Sequence, residues 1–297
     1  MSVKYIPVQW NRNKWLYDAV MLAGGGLFLW LFLYAAPGIL SHERPVDPQV
    51  HRARAFGACA FTMLTVILCI GPLARLDRRF LPLLYNRRHF GVICAFVALT
   101  HAGYILGWYF SFSGSDRYEA LLFANTSYGQ LVGFPFEALG IFALIVLGIL
   151  AATSHDFWMK FLTAPVWKRL HSLIYLAYAA TVAHIALGIL QDQQNPVVTV
   201  YFIACGLIVG ALHVLAARHE AKHGDPLAEG GAWIDLGLAA TIPEGRARIA
   251  RLPSGERVAV FRHEGALSAI SNACAHQNGP LGEGRILDCF VTCPWHG

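Results

Sequence analysis

The chain has 297 residues, of which 56% are apolar and 14% charged, with a formal net charge of +5. Soluble proteins carry about 25% charged residues, so this composition excludes an all-soluble globular protein and points to several membrane spans. Lys and Arg flank the apolar runs and form no basic stripe, which argues against a nucleic-acid partner, and the seven cysteines do not make a secreted disulfide framework.

Six apolar runs approach or exceed the roughly 20 residues that a spanning helix needs. They cover residues 15–38, 54–73, 90–111, 132–152, 170–190 and 196–217. The first begins near Trp15 and is long enough to span, so no cleavable signal peptide is read. Its Gly24-Gly-Gly26 triplet is expected to allow close helix packing. Cys59, Cys69, Cys94 and Cys205 fall inside apolar runs and are expected as buried thiols. Basic residues cluster on alternate sides. Lys4, Arg12 and Lys14 precede the first run; Arg75, Arg78, Arg79, Arg87 and Arg88 separate the second and third; Lys160, Lys168 and Arg169 separate the fourth and fifth. The positive-inside rule then places both termini in the cytoplasm, with the chain in the inner (plasma) membrane.

Ionisable side chains inside spans are costly and mark function. The third run holds His101 and the fifth holds His171 and His184. Both runs rise from the same side, so their depths compare directly. At about 1.5 Å per residue, His101 lies about 20 Å beyond Arg88 and His184 about 22 Å beyond Arg169. Two imidazoles facing each other at one level are what a six-coordinate b-type heme needs. His171 lies about 20 Å below His184. Opposite it on the third helix stands Arg87, on nearly the same face as His101, and Arg suits a heme propionate better than an iron. On an ideal helix His171 and His184 are about 140° apart. The spacing therefore supports one heme b and leaves a second open. The alternative is a set of interior histidines bonded to neighbouring polar groups. His89 sits at the depth of Arg87 but points elsewhere.

From Arg218 to Gly231 the chain is hydrophilic, with Gly224, Pro226, Gly230 and Gly231 as breakers. This linker divides the chain into 1–217, 218–231 and 232–297. No internal repeat is visible. Beyond the linker, Val258–Phe261 and Leu267–Ile270 read as short strands bounded by Pro253-Ser-Gly255 and Glu264-Gly265, the pattern of a small all-β domain.

That domain ends in Cys274-Ala-His276 and Cys293-Pro-Trp-His296. Each half supplies one Cys and one His. Two thiolates on one iron and two imidazoles on the other make the ligand set of a Rieske [2Fe–2S] cluster. Zinc uses the same donors, but the runs from His276 to Gly284 and from Cys293 to Gly297 closely resemble Rieske binding loops. High-potential Rieske proteins carry an extra Cys in each loop, joined as a disulfide. The resemblance puts Gly279 and Trp295 at those positions and so implies the lower-potential type found in oxygenase ferredoxins. Cys289 is expected as a buried thiol. The chain stops one residue after His296, where Rieske domains continue with further strands, so it is expected to be a fragment truncated inside this domain.

Arg87-Arg-His-Phe-Gly91 through His101-Ala-Gly-Tyr104, and Trp167-Lys-Arg-Leu-His-Ser-Leu-Ile-Tyr175 leading to His184, resemble heme-binding helices of the ferric-reductase-like transmembrane family. That family includes NADPH oxidases, ferric reductases and the heme subunit of the periplasmic methionine sulfoxide reductase system, and the resemblance covers roughly residues 54–217. It implies heme b ligation at His101, His171 and His184 and electron transfer across the membrane. Two-heme oxidases of the family pair histidines on the third helix; here Arg87 or Arg88 stands in place of one. Their flavin and nicotinamide domains are replaced by the Rieske module. The expectation is a mainly α membrane protein, a six-helix transmembrane heme-binding bundle followed by a small all-β Rieske domain. It would pass electrons from a cytoplasmic reductase or ferredoxin, through the [2Fe–2S] cluster and heme b, to an outer-face acceptor or a quinone in the lipid bilayer. No residue reads as a substrate-processing catalyst. Other readings are a membrane-anchored Rieske ferredoxin serving a soluble oxygenase, and a redox sensor.

Overall fold

The computed structural model describes residues 12–35, 37, 46–84, 86–112, 116–123, 125–162, 164–192, 196–223, 233–252, 255–274, 279–287 and 289–293. The chain divides into two compact units. One comprises Met1–Cys69, Asn86–Ser154 and Leu170–Ala211; the other comprises Ile70–Tyr85, His155–Arg169 and Leu212–Gly297.

The helices in chain order are α1 (Arg12–Trp30, prolonged by a π-helical turn Leu31–Ala35), α2 (Pro48–Leu76), α3 (Arg87–Phe112), α4 (Arg117–Phe123), α5 (Glu137–Ala152), α6 (Asp156–Leu162), α7 (Ala164–His171), α8 (Ile174–Leu187), α9 (Ile189–Asp192) and α10 (Pro196–His223). Among the described residues, five helical stretches are long and apolar enough to cross a membrane: Lys14–Ala35, Pro48–Leu76, Arg87–Ser111, Val166–Gln191 and Pro196–His219. The run expected over 132–152 forms a helix only from Glu137. Gly133 holds φ 75°, and Pro135 follows it without an N–H to donate, so the chain turns before it coils. The resulting 16 residues of α5 reach about 24 Å, short of the ~30 Å hydrocarbon core of a bilayer.

More than half of the most apolar stretch of α2 is buried, against under a quarter in the other four. Ala53, Ala55, Ala58 and Ala60 are all buried, and such small side chains let neighbouring backbones approach closely. Polar ties fix its partners. Thr65 Oγ1 lies 3.1 Å from the Tyr178 hydroxyl on α8, and Thr62 Oγ1 lies 2.5 Å from the Tyr201 hydroxyl on α10. Phe61 stacks on Tyr178 with ring centres 5.6 Å apart. Bonds of this kind between membrane helices contribute about 0.6 kcal/mol each. On α5 and α8, Val146, Leu150 and Ala177 form a core joined by Leu170 and Ile174. Large apolar side chains such as Phe96, Ile145 and Leu207 point outward, as lipid-facing residues do. At the Gly24–Gly26 triplet Cys59 Sγ of α2 reaches the Gly25 carbonyl at 4.0 Å, but among the described residues a Cβ at any of the three glycines would meet nothing within 4 Å, so this approach does not require glycine.

The C-terminal region contains a three-stranded antiparallel sheet, β1 (Ala247–Arg251), β2 (Arg257–His263) and β3 (Ala266–Ser271), and a hairpin, β4 (Arg285–Leu287) and β5 (Phe290–Thr292). Ala259 and Phe261 on β2 are almost fully buried. Two expectations are corrected. Helix α10 runs six residues into the expected linker, through His223, because no breaker intervenes between Arg218 and Gly224. Cys289 is exposed, not buried: the pairing Leu287↔Phe290 leaves a two-residue turn, which swings this thiol outward at φ 64°.

Candidate functional site

His101 and His184 come together inside the first unit, with ring centres 6.3 Å apart and ring planes at 81°. Each ring is anchored through Nδ1, His101 to the Ala53 carbonyl at 2.8 Å and His184 to the Phe136 carbonyl at 2.8 Å. Backbone carbonyls only accept, so both Nδ1 atoms carry the proton and Nε2 is left as the ligating nitrogen. The spacing fits an iron. With metal–imidazole bonds of about 2 Å, an ion between two such nitrogens separates the ring centres by about 6 Å.

The two anchors repeat one device. One turn beyond each acceptor carbonyl stands a glycine, and a Cβ on Gly57 would come within 2.9 Å of His101 Nδ1, while one on Gly140 would come within 2.8 Å of His184 Nδ1 and Cε1. Ala53 and Phe136, Gly57 and Gly140, and His101 and His184 each stand 83 positions apart. The α2–α3 pair and the α5–α8 pair therefore hold their imidazoles in the same way, a repetition the sequence did not disclose. Gly140→Ala is expected to push the His184 ring from its place and weaken metal-group retention about 10–100-fold, as loss of a supporting shell does. Heme content per chain, measured against the parent, checks this.

His171 sits at the other end of α5. Its Nε2 lies 3.1 Å from Thr153 Oγ1, and Arg88 Nη1 donates to the neighbouring Ser154 carbonyl at 3.1 Å. The Arg88 and Arg87 charges both act on the His171 ring. Arg88 is also the residue 83 positions before His171. The 140° offset between His171 and His184 does not apply, because the helix is not continuous. At Ser172–Leu173 the backbone bonds Leu173 N→Leu170 O and Tyr175 N→Ser172 O close tighter, three-residue turns, and these reset the phase. Both histidines consequently meet α5, one at each end. His89 points to α1, where its Nδ1 lies 2.7 Å from the buried Asp18 carboxylate.

In the second unit, Cys274 follows the bridge Ala273↔Pro280, and its N–H donates to the Gly279 carbonyl at 2.9 Å, closing the first loop. Cys293 is buried at the end of β5, and neither thiol is in a disulfide. Two thiols at loop bases, neither tied up in a disulfide, suit the thiolate half of a Rieske ligand set. His276 and His296 lie outside the described residues, as does Trp295. The first loop is braced by buried Asn272, whose Oδ1 accepts from Gly282 N–H at 2.6 Å. Asn272→Ala leaves that donor unpaired, and is expected to destabilise the β domain by about 1–3 kcal/mol; a thermal unfolding curve followed in the visible absorbance checks it.

Comparison with known proteins gives two family matches: the ferric reductase like transmembrane component over residues 56–182 and the Rieske [2Fe-2S] domain over residues 232–297. Among curated proteins, the chain is similar to protein-methionine-sulfoxide reductase heme-binding subunits MsrQ. It is 30% identical to that of Enterobacter sp. across 67% of this chain and 92% of the relative. The subunit of Pectobacterium atrosepticum is also 30% identical, over 63% of this chain and 85% of the relative. That of Caulobacter vibrioides is 29% identical, over 63% and 82%. The chain thus belongs to the ferric-reductase-like transmembrane family, as a homologue of the MsrQ heme-binding subunits that carries a Rieske [2Fe–2S] domain at its C-terminal end.

Proposed function

We propose that this protein carries electrons across the membrane, from a cytoplasmic reductase or ferredoxin to an acceptor at the outer face or a quinone in the bilayer. The observation that carries the reading is the facing pair His101 and His184, whose Nδ1 anchors and 6.3 Å ring separation suit the two sides of one heme iron. The MsrQ relatives are named as heme-binding subunits, and the same role is assigned to this chain. His101 and His184 hold heme b. His171, with Arg87 and Arg88, forms a second level suited to a heme propionate or to a second heme. Cys274, His276, Cys293 and His296 hold the [2Fe–2S] cluster. When bound, these groups each take up and release single electrons.

The protein's own contribution is ligation, orientation and exclusion of water. The carbonyls of Ala53 and Phe136 fix the imidazole tautomers, and Gly57 and Gly140 give the rings room. Guanidinium groups at the His171 level favour negative charge there. We place α5 as a sixth span, shorter than the others and accommodated by local thinning of the bilayer. With α10 ending at His223, we place the domain limits at 1–223, 224–231 and 232–297, with both termini and the Rieske domain cytoplasmic. The basic segments around Arg78, Arg79, Lys160 and Lys168 support that side, since they share a compact unit with the β domain.

A pyridine hemochrome assay, with iron and sulfide analysis on the purified chain, tests the parts list. About one or two b hemes and about two non-heme irons per chain are expected. Cluster without heme would overturn the relay and leave a membrane-anchored ferredoxin.

A further inference from the structure

Three turns of the C-terminal domain meet at a place that the cluster ligands do not use. The Glu244–Gly245 turn precedes β1, Glu264–Gly265 joins β2 to β3, and Cys289 lies in the turn of the β4–β5 hairpin. The donor atoms of His263, Glu264 and Cys289 all lie within 4.8 Å of one another. Backbone bonds hold the frame: Gly245 N donates to the Arg262 carbonyl at 2.8 Å, and Ile286 N to the Gly245 carbonyl at 2.9 Å. Glu244 is fixed as well, its Oε1 accepting from Glu264 N–H at 2.5 Å.

The His263 ring is arranged as a metal ligand is. Its Nδ1 faces Glu244 Oε1 at 3.5 Å, while its Nε2 is buried with no hydrogen-bond partner among the described residues. A carboxylate behind one ring nitrogen and a bare second nitrogen is the usual setting of a metal-bound histidine. The hairpin turn adds a second sign. A two-residue hairpin loop with φ above zero favours Gly or Asn, yet Cys289 occupies that conformation at φ 64° and Glu264 does so at φ 48°. Side chains with donor atoms stand where the backbone alone would select glycine.

We propose that His263 Nε2, Cys289 Sγ and the Glu264 carboxylate form a site for a divalent transition metal, separate from the [2Fe–2S] ligands, with Glu244 orienting the imidazole. Mixed sulfur, nitrogen and oxygen donors in a small tetrahedral set select Zn2+. Bonds of about 2.0–2.3 Å put neighbouring ligands about 3–4 Å apart, so the site closes by small rotations of the exposed Glu264 and Cys289 side chains, with water in the fourth position. The bound ion clips the β2–β3 turn to the hairpin whose second strand leads into Cys293.

The test uses full-length protein with its cluster in place, equilibrated with Zn2+ and then dialysed against a chelator of micromolar affinity. About one zinc per chain is expected to remain, and Cys289→Gly and His263→Gln are each expected to weaken retention at least ~10-fold with iron and sulfide unchanged. Cys289→Gly separates binding from folding, because glycine suits φ 64°: without zinc, its unfolding midpoint is expected to equal or exceed the parent's. No zinc retained on cluster-loaded protein would overturn the site. So would retention that both variants leave intact.

Discussion

His184→Ala is expected to abolish the low-spin heme b spectrum of the His101–His184 pair while leaving the non-heme iron and sulfide content unchanged. The ring has one nitrogen left for a metal, since Nδ1 is committed to the Phe136 carbonyl, and it is the ring that faces His101 across the 6.3 Å gap between ring centres. Alanine removes that nitrogen and would leave His101 as the one histidine of the pair able to hold the heme. Disturbing a supporting group costs about 10–100-fold in metal affinity, so deleting a ligand outright costs at least the upper end of that range. The Phe136 carbonyl keeps the Leu139 and Gly140 N–H groups as donors, so the helix start itself is preserved. Reduced-minus-oxidised absorbance, normalised to iron–sulfur content, reads the result directly.

The second large effect lies at the other end of the chain. Cys293→Ser is expected to remove nearly all acid-labile sulfide and non-heme iron, and to leave the heme spectrum in place. Cys293 is buried at the end of β5, where a serine hydroxyl supplies neither the thiolate charge nor the soft donor that holds an iron–sulfur cluster. The imidazole pair belongs to the other compact unit, so the two lesions are separable. Reduction of the heme by a reductase or ferredoxin is expected to slow at least ~10-fold in this variant, because the proposed route enters through the cluster. Stopped-flow absorbance at the heme band checks that rate.

What the sequence made legible was the chemistry carried by side chains close together in the chain. Cys274 with His276, and Cys293 with His296, announce their ligand type within a few residues. Hydropathy located five of the six expected spans among the described residues, and counting residues from the basic flanks put His101 and His184 at one depth, where the structure brings their rings together. What escaped was carried by the backbone. The 83-position repetition rests on two carbonyls and two glycines, and the acceptor residues Ala53 and Phe136 share no side-chain chemistry. The tightened turn at Ser172–Leu173 has no proline to mark it, so phase counted from an ideal helix misjudged how His171 faces. Glycine alone was a poor guide: a Cβ at Gly24–Gly26 would meet no neighbour among the described residues, whereas one at Gly57 or Gly140 would strike a histidine ring. Cys289 was misread because an apolar neighbourhood, Leu287 and Phe290, hides a two-residue turn.

The measurement that bears most directly on the central claim is electron transfer across a sealed bilayer. Proteoliposomes containing the heme- and cluster-loaded chain would enclose ferricyanide and receive an impermeant reductant outside. The account predicts that the enclosed ferricyanide is reduced with the parent protein and that the rate falls to that of empty vesicles with His184→Ala. Equal rates for parent, His184→Ala and protein-free vesicles would contradict it.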